Sequence, residues 1–250
     1  MWKLDSNSRL PAWRPRVSEA EAVLAFSTRR GGVSSPPFDT LNLGRSTEDR
    51  PEAVSDNRRR FLESLDLDPG SLATAGQVHG AAVAEVRHPG FHPGCDVLVT
   101  RAPGIALAVT AADCLPLILT ARGAVAAAHS GWRGTVAGAP RAALDALCAA
   151  AAVQPSEVVV HLGPSIRSCC YRVGPEVARQ FAASATVRHH DAWHLDLVAA
   201  ASLQLIEAGV SAERIHQVPA CTACDSAQYF SHRRDGARTG RHWAVAALRA

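Results

Sequence analysis

Three residues in the middle of the chain carry side chains suited to a metal centre or to a nucleophile: His79 in "GQVHG", Cys114 in "VTAADCLPLIL" and His129 in "AAAHSGWRG". Two imidazoles and one thiolate form a borderline-soft donor set that fits Zn²⁺ or copper. Three protein ligands leave the fourth tetrahedral position open to water or substrate. A thiolate near an imidazole is also a nucleophile and its base, which makes Cys114 and His129 the pair of a cysteine hydrolase or amidase. A plain structural reading stands beside both. A lone buried cysteine commonly serves as a small hydrophobe, and a lone histidine as a hydrogen-bonded core residue.

The separations are 35 residues from His79 to Cys114 and 15 from Cys114 to His129, too long for one helix face. Each residue closes or interrupts an apolar run, so neighbouring strands of one sheet are expected to bring the three ends together. Asp113, next to Cys114, is a candidate general acid or base, or alternatively a buried carboxylate that orients a ligand histidine.

Two cationic segments follow. "HSGWRGTV" reads as a strand passing through Gly131 and Gly134 into a helix start, where free amides and the helix dipole favour an anion, with Arg133 in the turn. "SHRRDGARTGR" places His232, Arg233, Arg234, Arg238 and Arg241 on a glycine-punctuated loop. Folded over the His79, Cys114 and His129 cluster, that loop would hold phosphate through charge-assisted hydrogen bonds; otherwise it solvates its own charges. "CTAC" (Cys221 and Cys224) and "SCCY" (Cys169 and Cys170) offer four more thiols. A zinc ribbon needs a second CxxC, and adjacent cysteines chelate one tetrahedral ion poorly, so no structural zinc is expected there. "LGPSIRSCCY" is not a GxSxG elbow, and Ser165 has no evident triad.

The elements that must position these groups read as strands alternating with helices. "AVLAFS" is a strand running into a Gly-Gly turn, and "DNRRRFLESLDL" a helix with Pro69 and Gly70 beyond its end. "LATAGQVHGAAVAEV" suggests two strands around residues 76–80. "CDVLVT", "IALAVTAA", "LPLILTA" and "GAVAAAHSG" are short apolar runs bounded by Gly, Pro or Asp, the pattern of strands buried on both faces. Thr135 is a candidate cap for one helix over "VAGAPRAALDALCAAAAV", weakened by Gly138 and Pro140. A strand "EVVVHL", helices over "GPEVARQFAA" and "LDLVAAASLQLIEAG", and strands near "RIHQVP" and "HWAVAAL" complete the reading. Mixed strand runs and strand-helix alternation indicate an α/β or α+β fold.

A chain of 250 residues, 47% hydrophobic and 20% charged, can bury one substantial core, and residues 1–250 are expected to form one domain. The net charge of +3 rests on arginine, Lys3 being the sole lysine; no basic block resembles a nucleic-acid arm. The amino terminus has no apolar export segment, and the most apolar window, residues 102–121, is broken by Asp113 and Pro116, which excludes a membrane span. An odd count of seven cysteines argues against a disulfide framework and for thiols or ligands in a reducing, cytoplasmic setting.

The ordered motifs "STRRGGVSSPPFDTLNLG", "QVHG", "DVLVT", "VTAADCLPLIL", "AAHSGWRGT", "LGPSIRSCCYRVG", "HLDL" and "CTACDSAQYFSHRRDGARTGR" resemble those of the YfiH-like family, once called multicopper polyphenol oxidase or laccase-domain proteins. The resemblance runs from about residue 24 to the end. It implies a layered α/β/β/α sandwich with mixed sheets, similar to toxin deamidases that use a Cys-His pair. It implies metal ligands at His79, Cys114 and His129, with zinc or copper as the ion. It further implies purine nucleoside phosphorylase activity on adenosine, inosine and methylthioadenosine, with adenosine deamination as a side activity, and relates the chain to a branch described as peptidoglycan editing factors.

Joined to that implication, the residues expected at the site are Cys114, Asp113 and Arg133 for catalysis and Arg30, Gly131, Arg233 and Arg241 for nucleoside and phosphate. The expected partners are small molecules, with no nucleic acid and no membrane, on a monomer or weak homodimer. Copper-dependent phenol oxidation is disfavoured. One His-Cys-His set lacks the several histidine pairs of a multi-copper relay, and Met1, the single methionine, does not suit an axial ligand.

Overall fold

In the computed structural model, which describes residues 2–6, 8–16 and 21–249, the apolar runs become strands with both faces covered. In chain order the strands are β1 (Trp2–Asp5), β2 (Ala12–Pro15), β3 (Ala22–Ser27), β4 (Leu72–Ala75), β5 (Val83–Glu85), β6 (Gly90–His92), β7 (Val97–Thr100) and β8 (Ala106–Ala111). They continue as β9 (Leu115–Ala121), β10 (Ala124–Ser130), β11 (Val159–Leu162), β12 (Arg172–Val173), β13 (Thr186–His189), β14 (Ala192–Leu195), β15 (Ile215–Gln217) and β16 (His242–Leu248). The helices are α1 (Pro51–Glu63), α2 (Trp132–Val136), α3 (Ala139–Ala151), α4 (Pro175–Ala178), α5 (Leu197–Glu207) and α6 (His232–Asp235). Met1 lies outside the described residues.

Among the described residues the strands form three sheets: a seven-stranded one ordered β1-β2-β3-β16-β8-β4-β6, a six-stranded one ordered β15-β11-β9-β10-β7-β5, and a small one ordered β12-β14-β13. The two large sheets stack. Phe26, Leu107, Val109 and Ala246 of the seven-stranded sheet share one core with Leu98, Ile118, Val125 and Ala127 of the six-stranded sheet. Strand β10 shows the consequence of a two-residue period: Val125 and Ala127 enter that inter-sheet core, while Ala124, Ala126 and Ala128 face Leu144, Leu147, Val198 and Leu205 of α3 and α5. On the outer face of the other sheet, Phe61 and Leu62 of α1 pack on Val23, Ala25, Ala108, Trp243 and Val245. The layers are therefore α/β/β/α, as the motifs implied. Truncating Leu144 or Leu147, both fully buried, to alanine is expected to cost about 2–5 kcal/mol.

Several local expectations are corrected. Thr135 caps nothing: Gly138, at φ 84°, breaks the anticipated single helix into the five-residue α2 and the longer α3. Thr135 instead sits inside α2, its Oγ1 donating to Gly131 O at 2.9 Å. The helix read into "GPEVARQFAA" is only the four residues of α4. The loop "SHRRDGARTGR" contains α6, capped by Ser231 Oγ, which accepts from Arg234 N at 3.2 Å. Strands β1, β2, β6 and the small sheet carried no periodic signal strong enough to read.

The chain crosses between the stacked sheets at the place that matters. β8 belongs to the seven-stranded sheet and β9 to the six-stranded one, with only residues 112–114 between them. Asp113 makes the crossing at φ 86°, in a left-handed conformation uncommon for a residue with a Cβ. Its carbonyl accepts Ile166 N at 2.9 Å. No helix among the described residues is long and apolar enough to cross a membrane, and the seven cysteines are free thiols.

Candidate metal and nucleoside site

Cys114 sits at this sheet crossing. His129 is the penultimate residue of β10, and His79 follows β4 by four residues in a loop, at φ 62°. Their ligand atoms lie within 4.8 Å of one another, and the two imidazole rings stand edge to face at 83° with centroids 5.0 Å apart. The three residues meet as expected, but from two stacked sheets and a loop, where neighbouring strands of one sheet had been anticipated. β4 pairs with β8, and β10 with β9. The short β8–β9 crossing is what joins the two sides.

A residue that the sequence did not single out organises the cluster. Asp96, fully buried immediately before β7, places Oδ1 2.8 Å from His129 Nδ1. The same carboxylate accepts the amides of Val78, His79 and Gly80 at 3.0, 3.1 and 2.9 Å. It thereby fixes one histidine by its ring and the other by its backbone. This is the ligand-orienting role considered for Asp113. The Asp113 carboxylate bonds elsewhere, accepting Thr222 Oγ1 at 2.6 Å and Arg233 N at 2.7 Å. Gln77 ties the same loop to β8, its side-chain amide bonding Thr110 N and Thr110 O at 2.8 and 2.7 Å.

Electrostatics favour a thiolate paired with an imidazolium. Burial pushes the Cys114 thiol up, but the neighbouring His129 and His79 rings outweigh it and bring it down to about 6. His129, lowered by burial, is raised more by Cys114 and Asp96, to about 9. Burial raises the Asp96 carboxyl, yet the His129 ring and the Gly80 and Val78 amides hold it below its ordinary value.

The donor set fits a metal ion. Two ring nitrogens and a sulfur face one another, a carboxylate occupies the outer nitrogen of His129, and Gly131 leaves room beside the sulfur. A Cβ at Gly131 would stand 2.7 Å from Cys114 Sγ and 3.5 Å from the His79 ring. His79, Cys114 and His129 are the residues that would hold the ion.

The cluster opens into a cavity of about 590 Å³, within the range of small-molecule sites. Asp113, Tyr171, Phe91, His232 and the arginines Arg45, Arg58, Arg233 and Arg241 line it. Arg233 stacks over the Tyr171 ring at 5.0 Å. Arg58 stacks over Trp243 at 4.9 Å, and its Nε donates to Leu43 O at 2.8 Å. Of the expected substrate residues, Arg233 and Arg241 line the cavity and Gly131 abuts the thiol. Arg133, stacked over Trp132 at 4.5 Å, and the exposed Arg30 are not among the lining residues. Arg45 and Arg58 were missed because nothing in "GRSTEDR" or "DNRRRF" marks one arginine of a helix or loop as inward-facing.

Comparison with known proteins bears on this arrangement. A family model described as multi-copper polyphenol oxidoreductase laccase matches residues 23–249. A Deinococcus radiodurans protein named purine nucleoside phosphorylase is 38% identical over 231 residues, which cover 90% of this chain and 88% of that protein. Purine nucleoside phosphorylase YfiH of Escherichia coli is 37% identical over 237 residues, covering 91% and 94%. The crystal structure of YlmD from Geobacillus stearothermophilus superposes with a TM-score of 0.93 at 33% identity, covering 99% of both chains. With its motifs, its layered fold and its sequence matched over nearly the whole length, the chain belongs to the multi-copper polyphenol oxidoreductase laccase family, the YfiH-like proteins.

Proposed function

We propose that the chain, acting as one catalytic unit over residues 1–250, is a metal-dependent purine nucleoside phosphorylase. It would split adenosine, inosine or methylthioadenosine with phosphate and deaminate adenosine as a side activity. The observation that carries the reading is the convergence, in one cavity, of the His79, Cys114 and His129 donor set with several arginines.

Phosphorolysis needs a phosphate held in line with the anomeric carbon, on the face opposite the departing base, and a surrounding that tolerates positive charge developing on the ribose. Arg233 and Arg241 are the residues we assign to the phosphate, with Arg45 and Arg58 adding positive potential. Asp113 supplies negative charge near the sugar; Thr222 and the Arg233 amide fix its direction, which also suits it to move a proton. Because the Arg233 amide holds Asp113 while the Arg233 side chain bonds Arg172 O at 2.7 Å, the anion and sugar subsites are placed by one residue. Phe91, 65% exposed at the cavity, offers a face for a purine. A zinc ion held by the three ligands supplies Lewis acidity, of the kind that lowers the pKa of water from ~16 to roughly 7, as purine deamination requires.

A second reading draws on the proximity of Cys114 to His129: a cysteine hydrolase in which Cys114 attacks and His129 is the base. Metal content and thiol reactivity separate the two. Incubation with adenosine, with and without phosphate, should yield adenine and ribose 1-phosphate only when phosphate is present, and Cys114→Ala should abolish both. Phosphate-independent turnover, or turnover unaffected by Cys114→Ala, sinks the phosphorylase. Metal-free active protein labelled at Cys114 by iodoacetamide supports the hydrolase.

A further inference from the structure

A second cluster of metal-ligating side chains lies outside this cavity. Cys169, Cys170, Cys221 and Cys224 bring their sulfurs within 4.8 Å of one another. Cys224 Sγ stands 3.6 Å from Cys169 Sγ and 3.3 Å from Cys170 Sγ. From these residues we propose a structural zinc site that staples the loop after β11 to the loop after β15, independent of the phosphorylase reading.

The spacing is that of an ion's ligands. Tetrahedral zinc with Zn–S bonds of ~2.3 Å sets its sulfurs about 3.8 Å apart. A disulfide needs ~2.05 Å, and all four cysteines are free thiols. Four thiolates in a tetrahedral arrangement select zinc among common cations. At neutral pH each thiol that binds gives up its proton to solvent, so occupancy falls in acid. The obstacle seen in the sequence was the adjacency of Cys169 and Cys170. The backbone removes it by turning there: Arg167 O accepts both Cys170 N and Tyr171 N at 2.9 Å, and the bend lets neighbouring thiols converge. The second CxxC that a ribbon requires is thus replaced by a CC turn.

The surroundings are built for the join. β11 and β15 are parallel neighbours, so their following loops leave the sheet from the same edge. A bridge pairs Ser165 with Cys221, and Thr222 N donates to Ser165 O at 3.1 Å. Arg167 N donates to Cys221 Sγ at 3.5 Å, the kind of amide contact that stabilises a ligating thiolate. The stapled loops reach the cavity without belonging to it. Thr222, next to Cys221, donates to Asp113, and Tyr171, next to Cys170, lines the wall. An ion at the four thiols would hold both in place.

Metal analysis of the full chain, purified anaerobically with a reductant and saturated with zinc, tests the site. Two equivalents per chain are expected, falling to one in Cys224→Ser, to one in His129→Ala and to none in the double variant. Because Cys224→Ser can also fail to fold, alkylation of the unaltered protein is the second measurement. Zinc should slow iodoacetamide labelling of Cys169, Cys170, Cys221 and Cys224 at least tenfold, and a chelator should restore it. A wild-type stoichiometry of one that is lost in His129→Ala, equal labelling with and without zinc, or recovery of these cysteines as disulfides would overturn the proposal.

Discussion

Asp96 Oδ1 lies 2.8 Å from His129 Nδ1 and accepts the His79 amide at 3.1 Å, so one buried carboxylate sets the ring of one candidate ligand and the backbone of another. Four donors converge on a side chain with no solvent access, and an amide in its place would turn an NH₂ group toward at least one of them. Asp96→Asn is expected to weaken zinc binding by about 10–100-fold, the usual cost of losing an outer partner of a ligand histidine. Competition against a chromophoric chelator measures it; affinity within threefold of the wild type would mean that Asp96 does not tune the site.

Gly131 is required by space beside a sulfur, since a Cβ there would stand 2.7 Å from Cys114 Sγ. The φ of Gly131 is −77°, within reach of any residue, so Gly131→Ala perturbs the site without a backbone conflict. Overpacking of this kind costs about 1–3 kcal/mol. The variant should fold, with a modestly lower Tm, while zinc affinity and turnover fall at least tenfold. Unchanged metal binding would show that the thiol moves aside freely.

Much of this architecture was legible because β7 to β10 are buried on both faces, which strips polar residues from the runs and leaves Gly, Pro and Asp only at their ends. The strands β13 ("TVRH") and β14 ("AWHL") were not legible, being short, partly exposed and polar. Sheet membership is a further step that periodicity does not encode: β8 and β9 lie three residues apart and pair in different sheets. The candidate ligands His79, Cys114 and His129 stood out because polar chemistry interrupts apolar runs. Asp96 carried the same signal at the head of "DVLVT", but its meaning depends on four donors arriving from two distant segments. The four-thiol cluster was hidden by a turn at Cys169 and Cys170, whose geometry the sequence does not display.

Arg241 offers the cleanest test of anion binding among the arginines that line the cavity. Its amide donates to Asn42 Oδ1 at 2.9 Å whatever the side chain, and its Nη1 is fixed by Thr239 O and Gly240 O at 2.7 and 2.9 Å, which pre-orients the guanidinium. Arg241→Gln removes the charge and keeps most of the volume. Loss of one charge-assisted bond of about 1.5–3 kcal/mol should raise the KM for phosphate roughly 10–100-fold, with the KM for nucleoside changed far less. Equal effects on both constants would assign Arg241 to general architecture.

His242 ties stability to pH at a position outside the metal cluster. It is 5% exposed on β16, with Phe230 N donating to its Nε2 at 2.8 Å. Burial first, and the cations Arg29 and Arg241 after it, lower its pKa from 6.5 to about 3. Below pH 6.5 the unfolded chain therefore takes up a proton that the folded chain refuses. The contribution of His242 is present in full above pH 6.5 and declines as the pH falls from 6.5 toward 3, at up to about 1.4 kcal/mol per pH unit. His242→Gln keeps an acceptor for Phe230 N and cannot titrate. Urea unfolding at pH 7, 6, 5 and 4 should show the wild type losing stability faster than this variant, the gap between them narrowing by about 3 kcal/mol between pH 6.5 and 4. Parallel curves would mean that His242 gains its proton in the folded state, with the strand end opening to water.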